Sequence, residues 1–264
     1  MRFTTALLAI LLTFFIPFHS FAWGTNGHRI TAQVAYNHLS GKAKREIAKI
    51  LGDESLAMSA NFADFIKSDS TFDYISPWHY INIKTGLSES QVIALLDEQQ
   101  HGENIYSKIN WLKGELKKKE NNIERKRFYL VLLVHFIGDL HQPMHVGRPE
   151  DLGGNRVRLL WFDQPTNLHR VWDEQLIEFQ KMSYTEFANA IDHAPKKTIR
   201  QWQSEPMQQW VFESYGIAEN LYGEIRYADQ KLSYRYNFDH VATLNQQLLK
   251  GGIRLAGVLN EIFS

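Results

Sequence analysis

One run, His135-Phe-Ile-Gly-Asp-Leu-His-Gln-Pro-Met-His145, limits what this chain can become, because it places three imidazoles and a carboxylate directly behind the apolar residues Phe128 to Val134. The apolar run is too short to span a bilayer, which takes about 20 such residues, so it reads as the buried part of a helix. Helical spacing sets His135 and Asp139 on one face, where both can meet one ion. Pro143 lacks an N–H and pushes Gln142 out of the helical region, which ends the helix and carries His145 away on a turn toward a second ion. A buried helix end with a histidine bonded to a carbonyl is common. Three histidines with an aspartate exceed any structural need, and imidazole with carboxylate is an ordinary ligand set for zinc.

The start of the chain speaks to location. Arg2, the apolar stretch Ala6 to Phe18 and the small-x-small site Ser20-Phe21-Ala22 read as a secretory signal peptide over residues 1–22, too short to serve as a membrane anchor. Cleavage after Ala22 makes Trp23 the N-terminus, and a free α-amine with its own carbonyl can chelate a metal where a peptide nitrogen cannot. Residues 23–264 suit one domain with a sizeable core. There is no cysteine, so disulfides and thiolate sites are excluded, and any metal must use His, Asp, Glu and backbone. Export is then survived on packing and bound metal, in the periplasm or outside the cell. Basic and acidic side chains balance at 29 each, and removing Arg2 barely alters this. Contact with a polyanion is therefore expected to be local and metal-mediated.

The mature chain reads as mainly α. Helices are expected over 28–39, 42–51, 62–66, 88–99, 105–119, 123–139, 169–179, 184–191, 207–225 and 241–262, the last interrupted or kinked at Gly251-Gly252. Residues 68–77 read as a loop, 78–82 as extended, and 157–166 as a small β-hairpin. Lys117 to Lys119 read as a solvated helix end favoured by the dipole. Further ligands are available in Asp64, His79, His28 and the pair His169 and Asp173, which repeats the four-residue spacing of His135 and Asp139.

Taken together, the order of Trp23, His28, Phe62-Ala-Asp64, Trp78-His-Tyr-Ile81, His135-x3-Asp139-x5-His145, Gly153-Gly-Asn155 and Asn167-Leu-His169-x3-Asp173 resembles the zinc-dependent single-strand-specific nucleases of the mung bean nuclease kind, which share a fold with the zinc phospholipases C. The resemblance spans the mature chain. It implies a helical fold of that type and three zinc ions lining a cleft. Asp64, His79 and His135 are the implied ligands of the first; Asp139 bridges it to a second, also held by His28 and the amine and carbonyl of Trp23. His145, His169 and Asp173 are the implied ligands of the third, and His141 falls outside the pattern, either behind the ligands or on the surface.

The activity implied is hydrolysis of single-stranded DNA and RNA to 5′-phosphate products, with 3′-nucleotides dephosphorylated as well, by a zinc-bridged hydroxide attacking phosphorus in line. Asp64, Lys67 and Asp139 form the catalytic group, Lys67 stabilising charge in the transition state. Tyr80 is placed to stack on a base, with Asn82 and Asn155 beside it; Asn82 stands where many relatives have aspartate, so base preference is expected to shift or relax. A monomer is expected. The competing readings are a zinc phospholipase C and a non-catalytic zinc-binding protein.

Overall fold

The computed structural model describes residues 23–264, and the expected signal segment lies outside them. Among the described residues the chain runs α1 (Thr25–Asn37), α2 (Gly41–Leu51), α3 (Leu56–Ser59), α4 (Phe62–Phe65), α5 (Glu89–Glu98), α6 (Ile105–Lys117) and α7 (Ile123–Leu140). Strands β1 (Arg158–Trp161) and β2 (Gln164–Asn167) follow, then α8 (Leu168–Arg170), α9 (Leu176–Phe179), α10 (Tyr184–Ile191), α11 (Lys196–Ser204), α12 (Met207–Glu224), β3 (Gln230–Leu232) and α13 (Tyr234–Phe263). The fold is mainly α. No helix of the described residues is long and apolar enough to cross a membrane.

The helix boundaries follow local chemistry. Ser88 and Ser183 cap α5 and α10 through reciprocal capping boxes, and Asn122 accepts from Arg125 N at the start of α7. Because α7 is apolar nearly all round its C-terminal half, it is enclosed, packing against α1, α2, α4, α6, α12 and α13. Two apolar cores result. One gathers around α2, α5, α6 and α7, the other around Trp23, the sheet, α8, α9 and α10, and α1, α12 and α13 contribute residues to both.

Several expectations are corrected. The C-terminal helix runs unbroken from Tyr234 through Gly251-Gly252; a Cβ on Gly252 would stand 2.5 Å from Val34 Cβ, so the glycine serves close packing on α1 rather than a kink. Residues Ser70–His79 coil in 3₁₀ turns through Pro77, where 68–77 were expected as a loop and 78–82 as extended, and the chain extends only from Tyr80. The expected hairpin is a three-stranded sheet, since β3 pairs in parallel with β1 over Leu159 to Trp161. Helices α3 and α11 were not expected. The latter buries no residue fully, and only Ile199 and Trp202, three residues apart, lean on the second core.

His141 is fully buried rather than on the surface. Its Nδ1–H donates to Ile137 O at 2.7 Å, and Nε2 accepts from an Arg254 guanidinium N at 3.0 Å. Burial, then Arg254, hold it neutral. Arg254 also reaches Glu205 at 2.6 Å and Glu213 at 2.8 Å, joining α13, α12 and the end of α11 to the C-terminus of α7. Removing one member of such a buried set strands the others. Arg254→Ala is expected to cost about 3–5 kcal/mol, read as a lower denaturation midpoint in urea, whereas an unchanged midpoint would show the network to be dispensable.

Candidate metal centre and cleft

The end of α7 and the turn after it form the site. Helix α7 stops at Leu140, Gln142 takes an extended conformation ahead of Pro143, and Pro143–Val146 makes one 3₁₀ turn that carries His145. Residues 80–83 lie along that turn, with Ile81 N donating to His145 O and Ile83 N to Gly147 O, both at 2.9 Å. On the far side His169 sits in α8, and Asp173 in a π-helical turn, Val171–Gln175, that follows without a break. Single π turns inside helices often mark functional sites.

Three buried groups converge: His28 with His135 and Asp139; Asp64 with His79 and His135; and His145 with His169 and Asp173, the ligand atoms within each lying inside 4.8 Å of one another. Asp139 faces two of them with different oxygens. Its Oδ1 is 3.3 Å from His28 Nε2, while its Oδ2 is 2.9 Å from His79 Nδ1 and 3.3 Å from His135 Nε2. The rings of His28 and His135 stack with centroids 3.7 Å apart. In the third group Asp173 Oδ2 is 2.9 Å from His169 Nε2, and Oδ1 is 3.6 Å from His145 Nε2.

The surrounding backbone fixes which nitrogen each ring offers. His135 Nδ1–H donates to Ala60 O at 2.7 Å, His145 Nδ1–H to His79 O at 2.6 Å, and His169 Nδ1–H to Gly153 O at 2.7 Å. Each bond leaves Nε2 with its lone pair turned into the cluster, the usual arrangement behind metal-ligating histidines. Gly153 delivers its carbonyl from φ +63, and a Cβ there would collide with Met144 O at 2.5 Å. Gln142, also fully buried, donates from Nε2 to Asp173 Oδ1 and accepts from Met144 N at 2.5 Å. Sequence reasoning passed over Gln142; its place between Pro143 and a ligand-bearing helix was the only available signal.

These groups fit metal ions. Both nitrogens of His28, Nε2 of His79, His145 and His169, and Oδ1 of Asp139 are buried without a hydrogen-bond partner, a costly state that a cation resolves. The titration behaviour agrees. Burial opposes ionisation of Asp64, yet His135 and Lys67 hold its carboxyl at about 2, and Asp139 and Asp173 are likewise held ionised by neighbouring imidazoles. Burial also disfavours a charged His145, but Asp139 and Asp173 outweigh it and raise that imidazole to about 9, while burial and Lys67 push His79 down to about 3. Buried carboxylates here demand positive charge, from protons where no metal supplies it.

Trp23 is wholly buried, its indole N–H donating to Gly138 O at 2.6 Å, and the next amide, Gly24 N, donates to Asp173 O at 2.6 Å. Its main chain is thus pinned beside both carboxylate-bearing segments. A Cβ on Gly138 would stand 2.9 Å from His28 Nδ1, so this position in α7 must stay small for His28 to enter.

Above the cluster opens a cleft of about 890 Å³ whose walls include Asp64, Lys67, His79, Tyr80, Asn82, His145, Asn155 and His169. Lys67 Nζ is 2.7 Å from Asp64 Oδ1, and Tyr80 is 42% exposed at the rim. Asn82 Oδ1 is buried without a partner, and Asn155 Nδ2 donates to Leu152 O at 2.9 Å across its own turn.

A mainly α fold thus sets three buried imidazole and carboxylate groups beneath an open cleft, the arrangement of a protein built to hold several metal ions within reach of a ligand. The particular family is set by comparison with known proteins: the profile of the S1/P1 Nuclease family matches residues 23–264, and the chain belongs to that family. It is a hydrolytic nuclease. It is 28% identical to Endonuclease 2 of Arabidopsis thaliana over 91% of this chain and 90% of that protein. Against Nuclease P1 of Penicillium citrinum it is also 28% identical, over 91% and 97%, and against Nuclease S1 of Aspergillus oryzae 29% over 60% and 56%.

Proposed function

We propose that this protein is an exported zinc-dependent phosphodiesterase that cleaves single-stranded DNA and RNA to 5′-phosphate products and dephosphorylates 3′-nucleotides. The observation that carries the reading is Asp139, a buried carboxylate whose two oxygens serve two different ligand groups. Asp64, His79 and His135 would hold one zinc, Asp139 together with His28 and the N-terminal amine and carbonyl of Trp23 a second, and His145, His169 and Asp173 the third. Three bound zinc ions supply the Lewis acidity that polarises a phosphodiester and acidifies water. Residues 1–22 are removed as a signal peptide, and residues 23–264 act as one domain in the periplasm or outside the cell.

The chain's own side chains do the rest. Lys67 lies at the cleft wall beside Asp64, where its ammonium meets charge developing on the phosphoryl oxygens. Tyr80 offers an exposed ring on which any base can stack, and only an unpaired strand can splay a base onto it. Asn82 presents an unpartnered amide oxygen to the cleft, suited to accepting from a base edge; unlike a carboxylate, its amide can donate too. Asn155 holds the turn on which it meets the base.

The testing experiment compares zinc content and single-stranded DNA cleavage in protein beginning at Trp23 with a form keeping one residue ahead of it. Three zincs with fast cleavage only in the first form support both cluster and amine. Equal activity removes Trp23 from the ligands, and a zinc-loaded protein inactive on nucleic acid but active on phosphatidylcholine replaces the nuclease reading with a phospholipase.

Gln142→Leu keeps side-chain volume but strips Asp173 of its donor and leaves Met144 N unpaired. The third zinc is expected to dissociate about 10–100-fold more readily while the other two stay, as read by competition with a chromophoric chelator. Uniform weakening at all three sites, or none, would deny Gln142 this orienting role.

A further inference from the structure

Beside the cleft lies a smaller hollow of about 400 Å³, lined by Arg156, Val157, Arg158 and residues 225–228. Arg156 lines both, so cleft and hollow meet at that side chain. Three guanidiniums border the hollow in a chain of zero formal net charge. Arg158 is committed to Asp229, its Nε 3.1 Å from Oδ1. The guanidiniums of Arg156 and Arg226 have no ion pair or hydrogen bond among the described residues. Next to Arg226, Tyr227 is 64% exposed.

The hollow is held in shape. Asp229 N donates to Arg158 O at 3.0 Å, Arg226 N to Gln230 Oε1 at 3.0 Å, and Gln230 Nε2 to Glu224 O at 3.2 Å, tying the link between α12 and β3 onto β1. Two open guanidiniums, each a planar fork matched to phosphate, thus stand on a braced surface whose lining also includes the exposed Tyr227. Charge tracking the backbone and a ring for a base is the combination by which grooves hold unpaired strands.

We propose that this hollow is an extended subsite for the single-stranded substrate, in which Arg156 and Arg226 take successive phosphates of a strand leaving the cleft and Tyr227 stacks on one of its bases. It rests on the reading that the cleft holds the scissile phosphate. Arg226 and Tyr227 line the hollow and not the cleft, so the subsite engages strands long enough to pass Arg156 and favours them by affinity rather than by turnover.

The test uses the zinc-loaded protein with a hydrolysis-resistant phosphorothioate strand of about ten nucleotides and a dinucleotide of the same chemistry, binding read by fluorescence anisotropy across salt concentrations. The variant is Arg226→Ala with Tyr227→Ala; both side chains are exposed and neither lines the cleft. Affinity for the long strand is expected to fall about tenfold, with the salt slope flatter by about 0.7, and dinucleotide affinity to stay unchanged. Unchanged long-strand affinity and slope overturn the subsite, as does an equal loss on the dinucleotide. The two readings separate cleanly: a parent protein that binds the long strand through Arg226 yet cleaves no unmodified strand refutes the nuclease reading alone, whereas cleavage with no effect of the variant refutes the subsite alone.

Discussion

Asp139→Asn is expected to lower single-strand cleavage by about four orders of magnitude or more, because it alters the one carboxylate whose two oxygens face His28 on one side and His79 with His135 on the other. The substitution keeps shape and volume. It also replaces one of two accepting oxygens with an amide nitrogen that cannot ligate, and it removes a negative charge from a fully buried position. The oxygen facing His28 and the oxygen facing His79 and His135 cannot both be replaced by one amide oxygen. Zinc content should therefore fall from three toward one, the remaining ion being held by His145, His169 and Asp173, which Asp139 does not complete. Elemental analysis beside the rate separates this from simple unfolding, which would empty all three sites. A variant that keeps three zincs and the parental rate would dismiss the bridging role.

Much of that centre was readable because its ligands come in local pairs. His135 with Asp139 and His169 with Asp173 share a helical face by spacing alone, and Pro143 had to turn the chain before His145. The π turn at Val171–Gln175 changes the local winding yet still leaves Asp173 Oδ2 within 2.9 Å of His169 Nε2. What the sequence hid is non-local. Nothing near Asn82 or Tyr80 reveals that residues 80–83 lie along the turn 143–147, and no short-range pattern announces that Gln230 to Leu232 pair with β1 across the intervening helices. His141 was ambiguous for the same reason: its partner Arg254 lies more than a hundred residues on, and only packing brings them to 3.0 Å. The basic hollow was invisible to net charge, which sums to zero while Arg156 and Arg226 gather at a hollow beside the cleft. The proposed subsite would add two guanidiniums to the local, metal-mediated contact expected from the charge balance.

Chelation is expected to abolish activity and to lower the melting temperature by about 20 °C or more, since on the proposed three-zinc reading each ion, bound only by the folded chain, adds stability by mass action and no disulfide remains to hold the fold. The size of the drop should depend on pH, and its sign follows from the imidazoles and carboxylates left behind. In the metal-free protein His145 is raised from 6.5 to about 9, so its proton stabilises the fold fully below 6.5 and that contribution fades as pH climbs through about 9. Asp64, lowered from 3.8 to about 2, contributes above 3.8 and is lost only as pH falls through about 2. From pH 6.5 to about 9, rising pH therefore weakens the metal-free protein, whereas below 6.5 His79, held down at about 3, acts in the opposite sense. Zinc binding offsets that loss, because zinc must displace the His145 proton and affinity at that site gains about tenfold per pH unit until the proton is gone near 9, so the zinc-loaded protein holds level over the same range. The gap between loaded and stripped melting temperatures should therefore widen from pH 6.5 to 9, with about one proton released per third zinc bound at neutral pH, measurable by calorimetry in buffers of different ionisation enthalpy. A gap that narrows over that range, or binding without proton release, would show that the His145 proton is not what zinc displaces. An unchanged melt on chelation would go further, placing the stability of this cysteine-free chain in its two apolar cores alone.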